Sequence, residues 1–83
     1  MHELAIAESL VDLVAERTAG RRVVAVNVRV GTDAGVVPDA MTFSFEVVTA
    51  GTPLAGARLV VEEVPGDDLA LVSVVLVQEE SCA

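Results

Sequence analysis

An 83-residue chain holds one domain at most, and a composition of 53% hydrophobic and 22% charged residues is that of a globular protein, not a disordered one. A formal charge of −8 argues against nucleic acid and anionic membrane, since a polyphosphate repels an acidic surface. No apolar run reaches the ~20 residues needed to span a bilayer. The start lacks the basic region and apolar core of a signal peptide. A single cysteine, Cys82, cannot form an intrachain disulfide, so the cytoplasm is the expected compartment. Trp and Tyr are absent and Phe occurs twice, which leaves the core to Val, Leu and Ala.

The predicted elements follow in chain order. Residues Leu4 to Ala19 form an amphipathic helix: Ala7, Leu10, Val11 and Val14 recur at helical spacing, with Ile6 and Leu13 widening the stripe and Glu8, Asp12 and Glu16 opposite. Gly20 is suited to cap it, and Arg17, Arg21 and Arg22 stand at the negative end of its dipole. Val23 to Val30 alternates as a strand, with Val24, Val26, Val28 and Val30 on one face and Val23, Ala25, Asn27 and Arg29 on the other. Gly31 to Gly35 breaks it, and Pro38 opens a second helix through about Thr49. Its stripe is Met41, Phe45 and Val48, flanked by Phe43 and Val47, and Gly51 and Pro53 end it. Strands Ala57 to Val64 and Leu69 to Val77 are separated only by Pro65-Gly66-Asp67-Asp68, so they are expected to pair as an antiparallel hairpin. The last strand, apolar on both faces except at Ser73, suits the middle of a sheet or an interface. The expected architecture is α+β, in the order αβαββ, with both helices on one face of a three-stranded mixed sheet. The domain would span 1–78, and 79–83 would be a frayed tail.

The most informative chemistry lies in Met1-His2-Glu3. A histidine in second position chelates without a folded pocket. The terminal amine and the His2 amide nitrogen close a five-membered ring on a metal, and that amide and the imidazole close a six-membered one. A planar set of nitrogens suits Ni(II) or Cu(II), whereas zinc prefers a tetrahedron. The Glu3 carboxylate or amide is near enough to complete the plane. The bland alternative is an incidental surface histidine.

Met1-His2-Glu3-Leu4 followed by Ala7-Glu8-Ser9-Leu10-Val11 resembles the opening of HypA/HybF proteins, the nickel-insertion factors of [NiFe]-hydrogenase maturation. The resemblance continues through Gly35 to Thr52, Ala55 to Leu59, Glu62 to Pro65 and Gly66 to Leu69, nearly the whole chain. It implies Ni(II) held by the Met1 amine, His2 and Glu3, and transfer with a HypB-type GTPase toward the hydrogenase large subunit. Members carry a zinc module built on two Cys-x-x-Cys pairs between the last two strands. Here the Pro65 to Asp68 turn stands in its place, no Cys-x-x-Cys occurs, and no structural zinc is expected. The alternative is a metal-free truncated module that binds the GTPase or a full-length relative.

Other candidates are weaker. Cys82 is a lone thiol on the tail. Asp67 and Asp68 are turn carboxylates, and Glu62 and Glu63 point to opposite faces of a strand. The serines have only His2 as a base and no oxyanion motif, and the Gly31 to Gly35 loop lacks a phosphate-loop lysine, so enzyme activity is not expected. Two helices cover one face of a small sheet, and the other carries Val and Leu. That predicts a homodimer through the open face or a sheet edge, dissociated by a charge at whichever of Val72 or Val74 points outward.

Overall fold

A computed structural model of the chain describes residues 3–77; the expected tail at 79–83 and Cys82 lie outside the described residues. The elements in order are α1 (Glu3–Thr18), β1 (Val23–Gly31), α2 (Pro38–Thr49), β2 (Arg58–Val64) and β3 (Leu69–Leu76). This is the α+β arrangement expected, with boundaries within a residue or so. Helix α1 buries Ala7, Leu10, Val11 and Val14, and ends where Ala19 and Gly20 both turn left-handed (φ 53° and 79°). Helix α2 buries Met41 and Phe45. The buried Thr18 and Thr49 hydroxyls donate to the Val14 and Phe45 carbonyls one turn back, at 2.8 and 2.7 Å, which satisfies both inside the core.

The sheet order is β2-β1-β3, with β1 parallel to β2 and antiparallel to β3. The expected hairpin between the last two strands is therefore wrong: they flank β1 on opposite sides. The strand that buries most side chains, β1, takes the centre, where both rows of its backbone groups are paired, and β3 lies at an edge, not in the middle. The Pro65 to Asp68 link passes over the end of β1. Gly31 there donates to the Asp68 carbonyl at 2.6 Å, Thr32 to Val64 at 2.8 Å and Asp33 to Gly66 at 2.7 Å. Gly31 is the residue that makes room, since a Cβ there would run into the Gly66 carbonyl.

The alternation of β1 also departs from expectation. Val23 is buried with Val26, Val28 and Val30, while Val24 is 47% exposed. A register shift between Val23 and Ala25 opposite β3 turns the first residue inward, as a bulge does. A second shift, between Asn27 and Val28, leaves Val72 as the extra residue of β3. Val72 is exposed, whereas Val74 packs against the core. The outer sheet face is more polar than expected. The Asn27 amide donates to Ser73 Oγ at 2.9 Å and Arg29 pairs with Glu62 at 3.6 Å, among exposed Val24, Val60 and Val75. Phe43 and Val47 do not widen the α2 core stripe; both are exposed. Among the described residues no helix is long and apolar enough to cross a membrane.

Candidate functional site

Met1 and His2 lie outside the described residues, which begin with Glu3 as the first residue of α1. A carboxylate there complements the positive end of the α1 dipole. Its Oε2 accepts a hydrogen bond from the Val37 amide at 3.1 Å. Val37 is the N-cap residue of α2 and has no side chain able to cap, and Pro38 behind it has no N–H to offer. The Glu3 carboxylate therefore supplies, from 34 residues away, the acceptor for the N-cap amide that a Glu or Gln at the third helical position, here Ala40, provides in a capping box. The starts of both helices meet at this carboxylate, and the chain enters the fold at that corner.

The Val37 amide is the partner that sequence reasoning missed. Its signal was present: a helix opened by Pro38 behind a valine must find its cap elsewhere. Among the described residues no three His, Cys, Asp or Glu side chains are gathered as a metal site.

A groove of about 410 Å³ lies between α1 and the start of β3, lined by Ile6, Ser9, Leu10, Leu13, Leu69 and Leu71 among others. Among the described residues no titratable side chain lines it, and the surface they offer is apolar. Ser9 is on its wall, with no basic residue among the described residues that line it. Ser73 is bonded to Asn27, Glu62 to Arg29, and Glu63, Asp67 and Asp68 are exposed to solvent. None of these forms a catalytic constellation.

A family model described as hydrogenase/urease nickel incorporation, metallochaperone, hypA, matches residues 1–68. The chain is 52% identical over 66 residues to the hydrogenase maturation factor HypA of Geobacter metallireducens, covering 80% of this chain and 60% of that protein. It is 54% identical over 68 residues to the HypA of Roseiflexus sp. (strain RS-1), covering 78% and 55%. It thus spans about 60% of the length of the curated relatives it matches. The fold resembles the solution structure of the Ni metallochaperone HypA from Helicobacter pylori, with a TM-score of 0.76 at 14% identity, over 95% of this chain and all of that one.

Proposed function

Because the chain belongs to the HypA family of hydrogenase/urease nickel-incorporation metallochaperones, we propose that it carries Ni(II) at its own N-terminus, through the Met1 amine, His2 and Glu3, for delivery during hydrogenase maturation. The observation that carries this reading is the Glu3 to Val37 bond. It fixes the third residue of the chain to the corner where both helices begin, and this gives a chelate formed by the residues ahead of it a rigid base. Nickel is cargo in this reading. Its donors are the terminal amine, the His2 amide and imidazole and, in fourth place, the Glu3 amide, a planar nitrogen set that suits the ion and lets it be handed on. Transfer requires no catalytic residue, and none is assigned. The receiving partners are a HypB-type GTPase and the hydrogenase large subunit, met in the cytoplasm. A second copy of the chain is a further partner, through the edge strand β3, which carries no charged residue from Leu69 to Leu76.

The test compares nickel binding by calorimetry in three proteins: one starting at a native Met1, one extended ahead of Met1, and His2→Ala. Both changes are expected to weaken binding to a similar degree. Affinity of the native form is expected to fall with acidity, because protons compete for the amine and imidazole. Equal affinities in all three would place the metal elsewhere, and absence of binding in all three would leave the metal-free interaction module as the better reading.

A further inference from the structure

The most exposed large apolar side chain of the described residues is Phe43, at 67%, one of only two aromatic residues in the chain. It does not stand alone. Ala40, Phe43 and Val47 follow one another on α2 at intervals of three and four residues, the spacing of the contact seam between two paired helices. Val47 is 54% exposed. The opposite side of α2, through Met41 and Phe45, is the side spent on the core. A 12-residue helix thus carries two apolar seams, of which the fold uses one.

The flank of the outer seam decides the occupant. Asp39 and Glu46 each directly precede a seam position, and both are exposed. In a heptad they occupy equivalent flanking places, where charge selects the partner. No basic residue lies anywhere from Thr32 to Ala57, and the whole chain carries −8. A second copy laid antiparallel on this seam would set acid against acid, and in either direction it would bring together two chains of −8 each. We infer that the outer face of α2 is a docking surface for an amphipathic helix of a partner protein whose apolar stripe is bordered by Lys or Arg. Phe43 is the anchor of that surface, Val47 extends it along the groove of the incoming helix, and Asp39 and Glu46 set its orientation and steer its approach. The inference is independent of the nickel reading, since it uses no residue near the chain start.

The probe is a synthetic 18-residue helix with Leu at its seam positions and Lys at the flanks, fluorescein-labelled and titrated with the whole chain while anisotropy is followed. Phe43→Ser is expected to weaken binding about tenfold or more, the effect of losing an aromatic anchor. Asp39→Asn with Glu46→Gln is expected to weaken it and to flatten its salt dependence. Val75→Ser, on the outer sheet face, is expected to change nothing. A peptide of the same composition with the seam scrambled is expected to bind at the level of Phe43→Ser. Nickel binding by Phe43→Ser is expected to be unaltered, which separates this inference from the proposed function. Equal binding by the Phe43 and Val75 variants, or by the scrambled peptide, would overturn it. So would a homodimer in sedimentation that Phe43→Ser dissolves.

Discussion

Replacing Gly31 by alanine is the sharpest test of how the sheet is closed. The added Cβ would stand 2.7 Å from the Asp67 nitrogen and closer still to the Gly66 carbonyl, all of it backbone and none of it the movable tip of a side chain. Gly31 itself is not left-handed, so the cost is steric and not conformational. Relief requires lifting the Pro65 to Asp68 link away from the end of β1. That motion strains or breaks the three backbone bonds from Gly31, Thr32 and Asp33. Overpacking contributes ~1–3 kcal/mol, and one lost hydrogen bond about 1 kcal/mol more, for a total of about 2–4 kcal/mol. A domain of this length has on the order of 4–12 kcal/mol to lose. The expected fall in Tm is roughly 10–25 °C, followed by far-UV circular dichroism, with urea unfolding for the free energy. Gly35→Ala is the control, since it has a φ of +74° and open space around the new methyl, so only the ~1 kcal/mol backbone cost applies. A Gly31→Ala protein within ~0.5 kcal/mol of the parent would refute the crossing of the link over β1.

Two further outcomes follow from the same structure. Val23→Thr is expected to cost ~1–3 kcal/mol by burying a hydroxyl, while Val24→Thr stays within ~0.5 kcal/mol; a strict alternation of β1 requires the reverse, so one pair of urea curves decides whether the bulge exists. Glu3→Gln keeps an acceptor but removes the charge at two helix starts, and Glu3→Ala removes both; losses of ~0.3–1 and about 1–2 kcal/mol are expected in that order, and an unchanged midpoint for the alanine variant would show that the Val37 bond contributes nothing.

Local chemistry was legible in the sequence and partner choice was not. The period of α1, the proline that opens α2 and the alternation in β1 are written in neighbouring residues, and the elements stand where those signals put them. The sheet order depends on which strand best satisfies two sets of backbone partners, which no short window encodes; a four-residue link is as compatible with crossing over a strand as with a hairpin. The Val23 to Val24 inversion depends on register with β3, some fifty residues away. Leu54, buried at 1% exposure within an irregular stretch, carried no periodicity to reveal it. At the candidate site the same division holds. The chelate proposed for Met1-His2-Glu3 rests on adjacent atoms alone, whereas the Glu3 to Val37 bond joins residues 34 apart and could only be suspected from a helix start without its own cap.

The link over Gly31 bears on any longer version of this architecture. Its two roots, Val64 and Leu69, belong to strands on either side of β1, two strand spacings or about 10 Å apart. A module inserted at Pro65 to Asp68 would be held by two separate stalks, like a lid on two pins instead of a flag on one pole. It could nod toward or away from the end of the sheet, but it could not swivel about the sheet axis without dragging β2 and β3 past the strand between them. With the link closed to four residues that freedom is gone, and three backbone bonds from Gly31, Thr32 and Asp33 tie it down to the end of β1.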